Sequence, residues 1–235
     1  MNIPPLKLLT VAFSALLSSH CFAADPVTRV PVYVLPYYES ASSPSASPMV
    51  AVAKEYNELL ASPNPSAILR VRDMIAAKNE LITPATLMVL AIRLYDVGLR
   101  DEAVFWFYVA KDRHSTVEGV LDVGSRALKE VATANRAFAT VAGPTINGYA
   151  FCNVDRQQAT RARAFQWVVD HPYQALFIPS LPAKPGDRRE NLSRHLDQRK
   201  LDLAKEKETI SNADFRLNFT QHRTASGVNA MYCWK

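Results

Sequence analysis

Glycine is scarce in this sequence, with 7 in 235 residues. That is too few for the tight turns of a large β barrel or sandwich. Cysteine is scarcer still, at 3, which excludes a disulfide-dense miniprotein. Beyond the first 23 positions no stretch of 18 uninterrupted apolar residues occurs, so no later segment reads as a membrane span. The short signatures of common chemistries are missing too: no GxGxxG, P-loop, GxSxG, HExxH or CxxC. No cofactor or metal is therefore expected. His114, His171, His195 and His222 stand far apart in sequence, and each reads as a surface or helix-end histidine. What is present points one way. With 49% hydrophobic and 21% charged residues the chain is not wholly disordered. The 15 prolines cluster at joints between long stretches rich in Ala, Leu, Arg and Glu. The expectation is a mainly α fold of antiparallel helical hairpins, a short solenoid or bundle, with a short extended N-terminal arm.

Residues 1–23 read as an address. Lys7 precedes the apolar run Leu8–Leu17, and small residues flank a cut after Ala23. The layout resembles a bacterial secretory signal and implies a mature chain that is soluble in the periplasm. A lipoprotein signal at Cys21 is the alternative, with His20 in the place of the usual small residue. Removal of the leader takes Cys21 with it and leaves Cys152 and Cys233. An even pair in an oxidising compartment reads first as a disulfide. It closes a loop of about 80 residues and stabilises by roughly 4 kcal/mol on the chain-entropy estimate. A catalytic cysteine is the sharper alternative, but no motif surrounds Cys152.

Residues 24–48 divide into an extended arm (TRVPVYVLPY) and a Ser/Pro linker (ESASSPSASP). Helical periodicity predicts helices over 49–61, 66–78, 84–97, 101–113, 116–141, 155–170 and 187–211. Gly143-Pro144 is expected to end the fifth and divide a hairpin region, 49–142, from a C-terminal helical region, 143–235, with a pinned tail. Thr83-Pro84 is an N-cap followed by proline, and Gly98 a C-cap glycine. Asp101 and Glu102 suit the first turn of the next helix. Across this joint, residues 87–110 resemble one tetratricopeptide or Sel1-like repeat. Leu90, Ala91 and Leu94 match its first helix, Gly98 its turn, and Ala103, Phe107 and Ala110 its second. Leu87 and Ser115 depart from the pattern, and no second repeat follows at a 34-residue step. The resemblance implies a helical hairpin in which the alanines permit close approach and Phe107 fills the space between hairpins.

The chain is basic, net +5 with pI about 9.1. Arg156 and Arg163, with Lys200, are candidates for one positive surface; a solvated basic face is the plainer reading. Glu190 and Asp197 read as surface salt-bridge partners of Arg188 and Arg194. Four consecutive aromatics, Phe105 to Tyr108, cover every face of a helix, so Phe105 and Trp106 are candidate partner-binding residues beside the core Phe107. The expected function is non-catalytic: a periplasmic module that binds another protein, such as a toxin or secretion-system component, with peripheral envelope contact and no nucleic acid. In architecture the chain is similar to some periplasmic immunity proteins. The alternatives are an envelope enzyme acting on cell-wall polymers and an envelope assembly factor.

Overall fold

The computed structural model describes residues 56–234. The expected leader, arm and linker, and the start of the helix expected from Met49, lie outside the described residues. The order is α1 (Asn57–Ala61), α2 (Pro65–Ala77), α3 (Pro84–Asp96), α4 (Arg100–Val120), α5 (Lys129–Ala150), α6 (Val154–Asp170), a 3₁₀ turn (Gln174–Phe177), α7 (Arg188–Ser211), α8 (Ala213–Ala225) and α9 (Val228–Tyr232). The fold is mainly α. Among the described residues the only β pairing is an isolated antiparallel bridge, Leu121 with Ala183.

Local chemistry sets most helix ends. The Thr83 side chain accepts the Thr86 N–H, with Pro84 in the first turn where its missing N–H costs nothing. Gly98 has φ +85°. There the Leu99 N–H reaches Leu94 O at 2.9 Å and the Gly98 N–H reaches Tyr95 O at 3.0 Å, a Schellman closure. Asn153 and Asp187 cap α6 and α7 in the same way as Thr83 caps α3.

Two expected ends are corrected. The helix expected to stop at Arg113 runs on to Val120, because Thr116, Val117 and Val120 continue its buried stripe. The break falls instead at 121–128, where Asp122 N donates to Pro182 O and Lys184 N to Val120 O, both at 3.0 Å. The end expected at Gly143-Pro144 is absent, and α5 carries Pro144 in its interior. Proline there removes a backbone hydrogen bond and costs about 3 kcal/mol. Ala142, Ile146 and Ala150 are buried on either side of it, and this packing holds the helix together. The boundary expected at 142/143 thus lies inside one helix.

Helix α4 is the centre of the molecule, with α3, α5, α6 and α7 all packed on it. The main core gathers α1 to α6 around Leu87, Leu90, Leu94, Phe107 and Ile146. Each such side chain contributes roughly 1.5–3 kcal/mol by burial. A second, smaller core lies at the far end of α4, where Val120, Leu121, Leu128, Leu176 and Leu181 meet. Arg113 joins the two. It is fully buried and donates to the carbonyls of Asn79 (2.7 Å), Ile82 (3.0 Å) and His171 (2.8 Å). Its guanidinium lies between the Trp167 and Tyr173 rings. Burial lowers its pKa to about 10.

Candidate functional site

Helices α6 and α7 both pack on α4 but diverge from each other. Residues three, four and seven apart share a face of a helix, and this spacing builds the two walls between them. One wall is Ala162, Phe165 and Val169 from α6; the other is Leu196, Leu203 and Ala204 from α7. They enclose a groove of about 510 Å³, rimmed by Gln158, Gln166, Asp197, Lys200, Glu206 and Lys207. The seam of α7 explains the opening. Leu192 and Ile210 are buried at its two ends, while Leu196 and Leu203 between them are only partly covered.

One polar residue of the lining, Arg161, is fixed from beneath by a network that reaches α4. Asp112, on α4, is 3% exposed and takes both guanidinium arms of Arg161, the second at 2.7 Å. Arg199 reaches the same carboxylate from α7 at 3.3 Å. Burial opposes the charge of Arg161, but the hydrogen bond and charge of Asp112 outweigh it and hold the guanidinium above its ordinary pKa. The Arg161 guanidinium also lies 5.2 Å from the Tyr108 ring centre. Tyr108 accepts from Gln157 at 3.0 Å and donates to Asn147 at 3.1 Å, so α4, α5 and α6 share one network. Burial raises the Tyr108 phenol. Arg161, so locked, gives that part of the groove a fixed shape.

The residues singled out from sequence are scattered over the structure. Leu90, Ala91, Leu94, Ala103, Phe107 and Ala110 are all buried in the α3–α4 core. Trp106 is 4% exposed and meets the Trp167 ring edge-on, so packing consumes it and leaves nothing to present to a partner. Phe105 is half-buried beneath the Arg163 guanidinium, 4.7 Å away. Arg156 pairs with Asp101 at 3.0 Å and lies over Tyr149. Neither arginine lines the groove, whereas Lys200 does. Arg188 donates to the carbonyls of Leu176, Pro179 and Leu181 rather than pairing with Glu190, because the proline-rich link folds back onto it. Arg194 turns to Asn191. Cys152 and Cys233 are joined.

Two histidines expected at the surface are half-buried. The His195 ring bonds Ser115 Oγ at 2.8 Å and lies against Gly119, where a Cβ would sit 2.5 Å from it. Burial lowers its pKa, and Arg199 and Lys184 push it the same way. Burial also lowers His114, against the pull of Glu118. His171 stays at a helix end, stacked on Trp167, and His222 is exposed. Among the described residues no group of three or more His, Cys, Asp or Glu is placed to hold a metal ion. The groove residues Phe165, Val169 and Lys207 drew no attention in the sequence. Their only signal was periodicity, which does not tell a covered face from an open one.

The chain is 33% identical over 236 residues to an uncharacterized protein of Haemophilus influenzae, across 99% of this chain and 90% of the relative. It belongs to that protein's family. No protein-family model matches the chain, and no solved structure does. The tetratricopeptide or Sel1-like resemblance therefore reduces to a single αα-hairpin, α3 with α4. The next helix, α5, follows only after residues 121–128 and does not repeat the pattern. Among the described residues no helix is long and apolar enough to cross a membrane. The disulfide is consistent with an oxidising compartment.

Proposed function

We propose that this protein is a periplasmic, non-catalytic interaction module, and that the α6–α7 groove receives an amphipathic helix from another protein. The groove itself carries the reading. A preformed cleft with apolar walls and a polar rim suits helix-in-groove recognition. Lys200 and Lys207 lie seven residues apart, about 10 Å along the axis of α7, and with Asp197 and Glu206 they give the rim a mixed-charge pattern that a partner helix meets with the complementary one. The chain's net charge of +5 favours encounter with partners of net negative charge. A toxin neutralised by this chain, or a component of a secretion system, is the narrower form of the same reading.

The Ser115–His195 pair belongs to packing rather than to nucleophilic chemistry. Ser115 is in the middle of α4, and the imidazole is wedged between that helix and α7. The test is a capture experiment with the chain from Ala24 onward, read by mass spectrometry. The expected result is one stoichiometric partner, lost at least tenfold in the Lys200→Glu, Lys207→Glu double variant. Equal capture by the double variant would remove the groove from the account.

A further inference from the structure

Beyond the groove, the structure places a cation against the disulfide. Arg223 is 8% exposed, and its guanidinium lies 3.4 Å from Cys233 Sγ and 3.8 Å from Cys152 Sγ. Its remaining hydrogen bonds go to Gly148 O at 2.8 Å and Asn229 Oδ1 at 2.9 Å, so no carboxylate is among its hydrogen-bond partners. A disulfide carries no charge to offset this cation; a thiolate would. A cation beside a cysteine stabilises the thiolate and lowers the thiol pKa. The Gly148 carbonyl is also 3.5 Å from Cys152 Sγ, within reach of a thiol proton. Both cysteines are partly exposed. The surroundings of the two sulphurs are thus more fully satisfied when the bond is reduced than when it is formed.

We infer that Cys152–Cys233 is an exchangeable disulfide, a substrate for a dithiol reductant of the thiol–disulfide oxidoreductase class, with Arg223 holding the leaving sulphur. The thiolate of the reductant attacks Cys152 Sγ, the Cys152–Cys233 bond breaks, and its electron pair leaves on Cys233 as a thiolate at Arg223. The second thiol of the reductant then attacks its own sulphur in the mixed disulfide. Cys152 departs, takes up the proton that thiol gives up, and keeps it as a thiol hydrogen-bonded to Gly148 O. The reductant is oxidised to its disulfide and the protein is reduced to one thiol and one thiolate. Release of Cys233 frees α9, whose Tyr232 ring rests on Gly148, and the tail beyond it, where the Trp234 ring lies 3.7 Å from the Arg100 guanidinium.

The test is equilibration of the full chain in dithiothreitol redox buffers at neutral pH, with free thiols counted by maleimide mass shift. The Arg223→Gln variant is expected to need at least a tenfold higher ratio of reduced to oxidised reagent, equivalent to about 30 mV for a two-electron couple. Arg223→Lys restores most of the difference. A purely structural arginine predicts the opposite sign, since a loosened tail is reduced more easily. An unchanged midpoint, or one moved toward easier reduction, overturns the inference. If Arg223→Gln does not fold, the thiol of Cys233 in Cys152→Ser is titrated by thiolate absorbance. A pKa of about 6 or lower, which a tenfold shift at pH 7 requires, supports the inference, and a higher value refutes it.

Discussion

Replacing Arg113 with methionine tests how the two cores are joined. The side chain is fully buried, and its three carbonyl acceptors come from the α2–α3 joint and the end of α6. A hydrogen bond from a charged donor contributes about 1.5–3 kcal/mol. Against this stands the cost of burying the guanidinium, which lowers its pKa to about 10 and corresponds to about 3 kcal/mol. Methionine removes both terms. Asn79 O retains the Ile82 N–H, so the loss falls mainly on Ile82 O and His171 O. The expected net destabilisation is about 3 kcal/mol, a large share of a typical domain's stability. For a chain of this size it lowers Tm by roughly 6–12 °C. Urea and thermal unfolding of the full chain, followed by far-UV circular dichroism, measure it. Arg113→Lys keeps the charge without the fork and is expected to recover less than half. A methionine variant within 1 kcal/mol of the parent would refute the argument and make Arg113 a replaceable filler.

Three other outcomes follow from the packing. Gly98→Val costs about 1–2 kcal/mol, because φ of +85° is unfavourable for a branched residue although nothing lies within 4 Å of its Cβ; an unchanged Tm contradicts the Schellman closure. Gly119→Ala drives a Cβ into the His195 ring and costs about 1–3 kcal/mol, most of it relieved by adding His195→Ala; additive losses would mean the two do not touch. Both half-buried histidines have depressed pKa values, so the unfolded chain takes up protons first as pH falls. Their contribution is present above about 6.5 and is lost as pH drops through the range below it. Urea midpoints should fall between pH 7 and pH 5, and less steeply in His195→Asn; a flat profile rejects this.

Wherever a helix end depends on one residue's own chemistry, the sequence was readable. Thr83-Pro84, Gly98 and Asp187 mark boundaries because a cap or a left-handed turn is decided within four residues. The cysteine pair was readable because only two remain once Cys21 is assigned to the expected leader. Pro144 misled for the opposite reason, since its local penalty is outweighed by Ala142, Ile146 and Ala150 packing on other helices. Arg113 is the last residue of the helix expected over 101–113; once α4 continues to Val120, the same residue is at the centre of the molecule. Trp106 was open to two readings until Trp167, sixty-one positions away, closed over it. The groove had no local signature at all, because it arises from the divergence of α6 and α7 rather than from either helix.

Docking in the groove is tested most directly by position-specific photocrosslinking in cells that produce the full chain. A photoreactive residue at Val169 or Leu203 lines the groove, whereas one at Leu81 or Val141 is exposed elsewhere. The account predicts one adduct of defined mass from the two groove positions and none of that mass from the two controls. Adducts from Leu81 or Val141 alone, or the same adduct from all four, would contradict it.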